Sequence, residues 1–582
     1  MLYTLDTFGF FCHNVFIMDN YFRLEQTIMD NHCTELAQLL FPDVTATVED
    51  LEMQYPERGL QEGARVTRFA PSPTGYLHIG GLFGALVDVL TAKVSGGVSY
   101  LRIEDTDKKR EIDDGVSAIT DGMRDFGVEF TEGVTGFGTE KGAYGPYTQS
   151  QRAAVYHTVA KALVEKGLAY PCFCTADELT ALREQQEKDG ALIRGYFGKY
   201  AKCRNLSFEE IKANIEAGKP YVLRFRSDGS DDRRITFEDM IRGKIEMPEN
   251  TIDEVLLKSD GIPTYHFAHV CDDHFMRTTH VIRGEEWISS VPKHIALFKA
   301  CGFKAPKFAH TPQVMKIDEE TGDKRKLSKR KDPEAAVSYF VVEGFPKESL
   351  IEYLLTLISS GFEDWRRANP AAAAMDYPFN LKKMSSSGCL FDLIKLNDVS
   401  KNVISVMDAD TVYQRVAEWA EKFDEDFFKV FTADPARSRA IVNIDRENPK
   451  PRKDIAKWNE VKEYFAYMFD EYYTPAFELP ENISADDAKA ILTEYVKLYD
   501  ETDGKDEWFQ KLKDICYPLG FTPNVKEYKQ EPDKYKGHVG DISTVVRLAV
   551  TSRRNTPDLC SIMNILGKET VTKRINAVIA AL

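Results

Sequence analysis

The pattern of apolar and polar positions along the chain changes at residue 64. Beyond it, a short apolar run over 65–69 predicts a strand, which closely spaced prolines and glycines break. An apolar run of helical length over 78–97 ends at two glycines, and residues 99–103 predict the next strand. This order is typical of the start of a parallel α/β sheet, in which ligands bind beyond the carboxyl ends of the strands. The proline- and glycine-rich loop and Glu104 both fall at such ends.

The rest of the chain divides into stretches with different patterns. Helical and strand-like pieces alternate over 147–259, which we interpret as an insertion, and the α/β pattern returns after it. The remainder is mostly helical, with little strand signal after residue 400. We therefore predict an α/β core with an α+β insertion, followed by mostly α-helical chain. The predicted segments are 1–63, 64–146, 147–259, 260–315, 316–395 and 396–582.

The pattern over 1–63 predicts an N-terminal extension that precedes the core. It contains one modest amphipathic stretch, from Cys33 to Phe41, followed by an acidic segment. No Lys or Arg precedes the first apolar stretch, so we do not interpret it as a signal peptide, and Met18 and Met29 offer later start sites. No apolar run approaches the roughly 18 residues that a membrane span needs, so we expect no membrane segment.

Composition indicates an ordinary globular protein of several domains. At 582 residues the chain has room for about four domains, and 43% of its residues are hydrophobic and 29% charged. Its 10 cysteines are scattered, which fits reduced thiols in a cytoplasm better than a disulfide framework.

The formal net charge of −17 would argue against a nucleic-acid partner, but net charge does not set the potential of one groove. Basic residues cluster at 324–326, 329–331, 450–453 and 553–554. An acidic body with basic patches suits a protein that binds one polyanion and repels others. For the last two clusters, a plain solvated surface is an equally good interpretation.

The loop and helix start over 68–81, RFAPSPTGYLHIGG, have the features of a phosphate site. The string matches neither G-x-G-x-x-G nor a Walker loop. A glycine-bearing loop leads into a helix N-terminus, where free N–H groups and the helix dipole attract anions. Gly80 and Gly81 leave room for a flat ring on the backbone, and His78 can donate a hydrogen bond to a phosphate oxygen. The alternative is a plain turn before a core helix.

A second motif, KLSKR, occupies 326–330. Two lysines three positions apart on a polar loop can bring ammonium groups onto a triphosphate as its charge redistributes. Taken alone, the pentapeptide is also consistent with a solvated basic turn. A similar string over 383–387 lacks the second lysine, so we set it aside.

Together, the two motifs resemble the signature motifs of class I aminoacyl-tRNA synthetases. The wording FAPSPTGYLHIGG is similar to that of bacterial-type glutamyl-tRNA synthetases, with Gly81 where many relatives have a second histidine. Glutaminyl and archaeal-type glutamyl enzymes typically read PPEPNGYLHIGH there. The resemblance runs from residue 64 to the C-terminus. Further matches, in the family's order, are LRIEDTD at 101–107, YTQSQR at 147–152, YHFAH at 265–269, VIRGEEW at 281–287, RLAVTS at 547–552 and NTPD at 555–558.

The resemblance implies a fold, a reaction and partners. The expected reaction uses ATP with Mg²⁺ to activate L-glutamate as glutamyl-adenylate, and then transfers the glutamyl group to the 3′-terminal adenosine of tRNA(Glu). The expected enzyme is cytoplasmic and monomeric. The expected parts are a Rossmann-like class I core over 64–146 and 260–315, an acceptor-stem-binding insertion over 147–259, a stem-contact region with the KLSKR loop over 316–395 and an anticodon-binding region over 396–582.

Chemistry and resemblance together give the expected glutamate site. Glutamate has two carboxylates, which arginines bind best, and one ammonium, which requires a carboxylate. We expect Arg68 to bind the side-chain carboxylate, Arg283 the α-carboxylate and Glu104 the ammonium, although the two arginines could exchange roles. His269 stands where many relatives have Asn. The whole expected set is Arg68, Ser72, Glu104, Tyr265, His269 and Arg283.

The expected ATP site joins the two signature motifs. Little general acid–base chemistry is expected, because reactions of this type depend on positioning and charge stabilisation. We expect His78, Lys326 and Lys329 to supply that stabilisation. The whole expected set is Thr74, His78, Gly80, Gly81, Glu286, Trp287, Lys326, Leu327, Ser328, Lys329 and Arg330.

Two groups of residues are of metal-binding type. The first, over 266–274, we interpret as the polar face of a helix and part of the pocket wall. The second is in the insertion, where some glutamyl enzymes carry a zinc knuckle. The fourth ligand position here is Asn205, and Tyr196 and Tyr200 lack the expected spacing, so zinc stays open but is not favoured. The cysteines that match zinc ligands are Cys172, Cys174 and Cys203.

Three rivals have other functions. A glutaminyl enzyme is disfavoured by the PSPTG wording, the helical C-terminal part and two pocket arginines where glutamine has one carboxylate. The short paralogue that glutamylates a modified base in tRNA(Asp) lacks an anticodon-binding domain, whereas this chain continues over 396–582. A noncatalytic tRNA-binding relative tends to lose signature residues, which are present here. The sequence leaves open whether tRNA(Gln) is also charged.

Overall fold

The computed structural model describes residues 32–328 and 330–582. The two possible later start sites, Met18 and Met29, and the motif residue Lys329 lie outside the described residues. None of the described helices has the length and apolarity that crossing a bilayer requires. Contacts group the described chain into two units: residues up to Ser338 with Leu354–Phe391, and Tyr339–Tyr353 with Asp392–Leu582.

Strands and helices alternate through the first part of the chain. In order they are α1 (32–40), α2 (Val48–Gln54), β1 (Val66–Phe69), α3 (Ile79–Lys93), β2 (Val98–Leu101), α4 (Gly115–Asp125), β3 (Glu132–Gly136), β4 (Thr139–Lys141), α5 (Ala153–Glu165), β5 (Ala169–Cys172), α6 (Ala176–Lys188), α7 (Phe208–Glu216), β6 (Val222–Phe225), β7 (Arg234–Asp239), β8 (Gly243–Pro248), β9 (Val255–Leu257), α8 (Tyr265–Phe275), β10 (His280–Gly284), α9 (Val291–Cys301), β11 (Lys307–Thr311), β12 (Val314–Ile317) and β13 (Lys324–Lys326).

Helices dominate the remainder. In order the elements are α10 (Val337–Glu343), α11 (Lys347–Ile358), α12 (Phe362–Ala368), β14 (Cys389–Leu390), α13 (Leu393–Ser405), α14 (Ala409–Phe423), α15 (Glu425–Ala433), α16 (Pro435–Asn443), α17 (Glu460–Tyr464), α18 (Ala485–Leu498), α19 (Lys505–Asp514), α20 (Val525–Gln530), α21 (Val539–Thr551) and α22 (Leu559–Ala581).

Two adjoining sheets form the core of the first unit. In one, β1, β2 and β3 run parallel and β4 pairs antiparallel with β3. In the other, β10, β11 and β7 run parallel and β8 pairs antiparallel with β7. The N–H of Thr279, just ahead of β10, donates to the carbonyl oxygen of Val66 in β1 at 3.0 Å. The predicted α/β class is confirmed, and β1, α3 and β2 occupy the predicted strand, helix and strand.

Helix α3 is buried on nearly all sides, which explains its continuous apolar sequence. Leu82, Leu86 and Leu90 have no exposed surface, and such all-round apolarity is typical of a helix in the core of a large domain. The loop that leads into α3 is held closely by α4. A Cβ on Gly115, the first residue of α4, would lie 2.5 Å from the carbonyl oxygen of Pro73, so only glycine allows this approach.

The chain between α5 and α8 contains a separate antiparallel sheet, in the order β5, β6, β9. Its small buried cluster includes Tyr170, Tyr196 and two of the cysteines. Further along, β12 pairs antiparallel with β13, where the KLSKR motif begins, and parallel with β14. The boundaries drawn from the sequence for these segments stay a prediction.

The second unit is helical, with a core rich in aromatic side chains. Phe427, Phe431 and Tyr495 have no exposed surface. No strand follows β14 in the described chain, which confirms the prediction of a helical C-terminal part. Helix α22 is interrupted at Gly567, whose φ of 80° glycine adopts readily.

Candidate active site

A cavity of about 1120 Å³ opens in the first unit, beyond the carboxyl ends of β1, β2, β10 and β11. Ligand sites of open α/β sheets lie at this edge. Most of the residues that the sequence singled out meet here. Those lining the cavity are Arg68, Ser72, His78, Gly80, Gly81, Glu104, Tyr265, Arg283, Glu286, Trp287 and Lys326.

Five other expected site residues lie outside this lining. Thr74 is exposed on the loop before α3, and Leu327 is buried after β13. Ser328 and Arg330 belong to the turn that follows. His269 has no exposed surface, and its ring stacks on that of Tyr265 with centroids 5.8 Å apart. His269 therefore supports a wall residue from behind.

Arg68 reaches the cavity from β1 and is held by one hydrogen bond and one ion pair. Its Nη1 donates to the carbonyl oxygen of Ile282 at 3.1 Å, and its Nε lies 3.4 Å from Oδ1 of Asp273. Asp273 also accepts a hydrogen bond from Nη1 of Arg102 at 2.7 Å. Both arginines and the aspartate are buried. The guanidinium of Arg68 is thus fixed in direction before any ligand arrives.

The ionisation of Asp273 depends on its neighbours. Burial acts to raise the pKa of Asp273, but His269, Arg102 and Arg68 together lower it well below its usual value. Nδ1 of His269 lies 2.8 Å from Asp273, without the alignment of a hydrogen bond. Because burial lowers the pKa of His269 itself to about 4, its ring is neutral near pH 7. The two arginines are therefore the cations that hold Asp273 at that pH.

Glu104, just beyond β2, contributes a negative charge to the cavity wall beside Arg68. Nη2 of Arg102 lies 3.0 Å from Oε1 of Glu104. Burial raises the pKa of Glu104, and the adjacent Arg102 and Arg68 offset part of this effect. Arg102 was missed in the sequence reasoning, although a charged residue within an apolar strand was a usable signal.

Arg283, at the end of β10, is enclosed by two histidines. Its Nε donates to Nε2 of His310 at 3.1 Å, and its Nη1 lies 3.2 Å from Nδ1 of His294. His310 in turn lies 2.6 Å from Asp239 through Nδ1. Burial lowers the pKa of both histidines, so neutral rings can accept from the guanidinium. Neither histidine was expected from the sequence, because their pairing with Arg283 depends on tertiary packing.

Aromatic rings line the wall beside Arg283. The rings of Tyr265 and Trp287 have centroids 4.5 Å apart, and the carbonyl oxygen of Trp287 accepts from Nη2 of Arg283 at 3.4 Å. These contacts combine an apolar wall with fixed polar groups, which is typical of small-molecule sites.

His78 is the N-cap residue of α3. Its Nδ1 accepts the N–H of Gly80 at 2.9 Å, so the ring proton of the neutral form lies on Nε2, which can donate to an anion. A Cβ on Gly80 would lie 3.1 Å from this Nδ1. His78, Gly80 and Gly81 thus lie together at a helix N-terminus on the cavity wall, which is the arrangement that an anion site requires.

Basic side chains line the same cavity. Nζ of Lys326, in β13, lies 3.9 Å from Oε1 of Glu286. Nζ of Lys258 donates to the carbonyl oxygen of Thr106 at 2.8 Å. Three consecutive basic residues beyond β2 were not singled out in the sequence, although their position after a strand end was a signal. These are Lys108, Lys109 and Arg110.

The turn after β13 has an internal anchor. Arg325 pairs with both carboxylate oxygens of Asp332, at 2.6 and 2.7 Å, and the N–H of Ser328 donates to the same carboxylate at 2.9 Å. Hydrogen bonding from Arg325 lowers the pKa of Asp332 to about 2. Because Arg325 precedes the KLSKR motif and Asp332 follows it, their ion pair closes the turn that carries the motif.

The three cysteines of the small β5–β6–β9 sheet meet in space. The Sγ atoms of Cys172, Cys174 and Cys203 all lie within 4.8 Å of one another. The hydroxyl of Tyr196 lies 3.3 Å from Sγ of Cys174 and accepts the N–H of Cys203 at 3.0 Å. Three thiols match three of the four soft ligands of a structural zinc site, whereas a tyrosine hydroxyl is not among the usual fourth ligands.

The other group of metal-type residues is divided among different partners. Asp272 accepts from Arg152 at 2.6 Å, and His274 contacts Glu52 at 2.6 Å. Within the described residues, the cysteine cluster is the only group of at least three ligand-type side chains close enough for one ion. Residues 266–274 belong to α8, and none of them lines the cavity. The interpretation as a helix face fits the structure, whereas the interpretation as pocket wall is wrong, because the side chains of His269, Asp272 and Asp273 are buried behind the wall.

Family models match both parts of the chain. The model "tRNA synthetases class I (E and Q), catalytic domain" matches residues 65–397, and the model "Anticodon binding domain" matches residues 526–579. A solved glutamate tRNA ligase from Elizabethkingia meningosepticum, in complex with its amino acid, has a TM-score of 0.68 and 27% identity, covering 89% of this chain and 100% of that chain. Fold, cavity and motifs thus define a class I aminoacyl-tRNA synthetase.

Sequence relatives narrow the class. The "Glutamate--tRNA ligase" of Clostridium perfringens (strain 13 / Type A) is 51% identical over 544 residues, which is 93% of this chain and 99% of that protein. The protein of that name from Acetivibrio thermocellus is 46% identical over 542 residues, 93% of this chain and 98% of its own length. The chain therefore belongs to the glutamate–tRNA ligase family, which confirms the resemblance of its motifs.

Proposed function

We propose that the cavity activates L-glutamate with ATP and passes the glutamyl group to the 3′-terminal adenosine of tRNA(Glu). The observation that carries this proposal is the convergence of two arginines and a carboxylate with a helix N-terminus, His78 and Lys326 in one cavity. The first set matches the charges of glutamate, and the second matches those of a triphosphate. We expect the enzyme to act as a monomer in the cytoplasm.

Glutamate is oriented by three charges. We assign its side-chain carboxylate to Arg68, its α-carboxylate to Arg283 and its ammonium to Glu104. The buried acceptors around Arg68 and Arg283 support this assignment, because they hold each guanidinium rigidly while leaving it on the cavity wall. A fixed planar fork discriminates between a carboxylate and a neutral amide, since the amide would leave buried donors unpaired.

Two displacements then follow. An oxygen of the α-carboxylate attacks the α-phosphorus of ATP, and the bond to pyrophosphate breaks. A ribose hydroxyl of the terminal adenosine, expected to be the 2′-OH, then attacks the acyl carbon and AMP leaves. His78 donates from Nε2 to a phosphate oxygen, and Lys326 and Lys329 stabilise the charge that moves to the leaving pyrophosphate. ATP is bound as its Mg²⁺ complex.

The cysteine cluster has a role outside this chemistry. Although the sequence disfavoured zinc, the convergence of three thiols supports a site for one Zn²⁺. Cys172, Cys174 and Cys203 would hold the ion as thiolates, and a fourth ligand would complete the site. A bound ion would cross-link β5 to the loop that carries Cys203.

The test is a charging assay with purified tRNA(Glu) and tRNA(Gln) transcripts, labelled glutamate or glutamine, and ATP. We expect glutamate on tRNA(Glu) and no charging with glutamine. Charging with glutamine instead would favour a glutaminyl enzyme. Binding of tRNA(Glu) without any charging would contradict the proposal and indicate a noncatalytic tRNA-binding protein. The reaction of tRNA(Gln) with glutamate shows whether the enzyme also charges tRNA(Gln).

A further inference from the structure

A segment ahead of the α/β core, Thr47–Arg58, packs against the C-terminal end of α8. We call this segment the N-terminal clamp. Its helix α2 begins with a capping box, in which Thr47 and Asp50 exchange hydrogen bonds at 3.1 and 2.8 Å. Tyr55 at its end is 2% exposed, and its ring lies 5.9 Å from that of Phe275. The clamp is therefore an ordered part of the first unit.

The clamp holds the end of α8 through charged and backbone contacts. Glu52 contacts Nε2 of His274 at 2.6 Å and Nη2 of Arg277 at 2.5 Å, one with each carboxylate oxygen. Arg277 donates from Nε to the carbonyl oxygen of Tyr55 at 2.9 Å. Arg58 donates from Nε and Nη2 to the carbonyl oxygen of Met276, at 3.2 and 3.1 Å. Several groups beyond the last turn of α8 are thus tied to one segment.

One of these residues has an unusual backbone. Arg277 has a φ of 59°, in the left-handed region that residues other than glycine rarely adopt. Such conformations persist where the surroundings determine them. Here the surroundings are the cap of α8, in which the N–H of Thr278 donates to the carbonyl oxygen of Asp273 at 2.8 Å, together with the carboxylate of Glu52 and the carbonyl oxygen of Tyr55. The clamp therefore fixes how the chain leaves α8.

A second arm of the clamp reaches the strand beside Glu104. Arg58 pairs with both carboxylate oxygens of Glu132, in β3, at 2.8 and 3.0 Å. Glu132 also accepts from the hydroxyl of Tyr147 at 2.7 Å, and the carbonyl oxygen of Tyr147 accepts the N–H of Ile103 at 2.9 Å. The clamp therefore connects α8 with the residue next to Glu104.

The last turn of α8 carries the acids on which the glutamate site rests. Asp273 holds Arg68 and Arg102, and Arg102 holds Glu104. We propose that the N-terminal clamp is a positioning element, which fixes the end of α8 and thereby aims Arg68 and Glu104 at glutamate. The inference rests on the proposed function, because that function makes these two residues the glutamate ligands. A displacement of about 1 Å at such a site can cost roughly 100-fold in rate.

The test compares Glu52→Ala with the matched control Glu49→Ala, an exposed glutamate on the same helix. In full-length enzyme we expect Glu52→Ala to raise the KM for glutamate about 10-fold, and to change the KM for ATP less than about 2-fold. Glu49→Ala should match the wild type. Glu52→Gln should recover most of the loss, because its amide oxygen still accepts from Arg277.

Equal KM values for glutamate in the two alanine variants would overturn the proposal. So would a loss in which both KM values change in proportion while the Tm falls, because that result describes general destabilisation. Hydrogen exchange tests the clamp without any activity: Glu52→Ala should speed exchange of the backbone N–H groups of 273–277, and unchanged exchange would also overturn the proposal. If the wild-type enzyme charges no tRNA with glutamate, the proposed function fails, whatever the exchange shows.

Discussion

At the residue scale, His269 shows how burial makes a side chain sensitive to pH. Burial lowers its pKa to about 4 from the usual 6.5. As the pH falls below 6.5, the unfolded chain takes up a proton at this histidine, whereas the folded chain does so only near 4. The free energy of unfolding therefore decreases through this window, by at most about 1.4 kcal/mol per pH unit for one group.

We expect His269→Asn to remove this contribution, so that the free energy of unfolding depends less steeply on pH between 6.5 and 4. Urea unfolding of both proteins at several pH values in that range measures the two slopes. Equal slopes would mean that the ring is already charged in the folded state, paired with Asp273, and that burial does not decide its protonation.

Lys326 gives a second prediction at this scale. It lines the cavity beside Glu286, whereas Lys324, in the same strand, is exposed outside the lining. We expect Lys326→Ala to slow pyrophosphate exchange in the presence of tRNA roughly 100-fold, because a charge-stabilising group is lost. The affinity for glutamate should stay the same. Lys324→Ala is the control, and equal rates in the two variants would remove Lys326 from the catalytic set.

At the element scale, local pattern carried the sequence prediction a long way. The strand, loop and helix from β1 to α3 could be predicted because the signals for them are local. The spacing of apolar residues and the positions of proline and glycine indicate an element within a few residues of sequence. The convergence of Arg68, Glu104 and Arg283 was expected from the resemblance to the synthetase motifs and from the charges of glutamate. The helical C-terminal part was likewise predicted from the absence of strand pattern.

What could not be predicted were contacts between distant elements. Arg102 meets Asp273 across 171 positions, and Arg283 meets His294 and His310 from different elements. The spacing of apolar and polar residues does not indicate such pairs, because they depend on how α8, α9 and β11 pack on the sheet. The same holds for Tyr196, which spacing set aside as a partner of the cysteines, whereas folding brings its hydroxyl to 3.3 Å from Sγ of Cys174.

The cysteine cluster leads to a prediction for the β5–β6–β9 sheet. We expect full-length protein, purified without chelator, to contain about one Zn²⁺ per chain by elemental analysis, because three thiolates supply three of the four ligands of a tetrahedral site. Cys203→Ser should lose the metal. Cys301→Ser, at a buried cysteine outside the cluster, is the control. Wild-type protein without zinc after refolding with excess Zn²⁺ would show that the cluster is a thiol core only.

At the scale of the whole molecule, an acidic protein must still bind a polyanion. The net charge is −17, yet two basic clusters that are 100 positions apart in sequence both lie in the second unit. Nη2 of Arg452 lies 3.5 Å from Oδ1 of Asn555, the residue that follows the cluster at 553–554, so the two clusters lie near each other. The second cluster lies within the part that matches the anticodon-binding model. Each basic cluster could be located in the sequence, but their proximity depends on the tertiary fold and could not be predicted.

We therefore expect the exposed Lys453 and Arg554 to contact tRNA phosphates. The double variant Lys453→Ala/Arg554→Ala should raise the KM for tRNA about 10-fold, and lower the slope of log affinity against log salt by about 2, because two phosphate contacts are lost. The KM for glutamate should stay the same, since the cavity is untouched. Lys422→Ala, an exposed lysine on α14, is the control. If the salt slope is unchanged in the double variant and tRNA still binds, Lys453 and Arg554 do not contact tRNA phosphates. The two clusters are then solvated surface, and other basic residues of this acidic protein bind the tRNA.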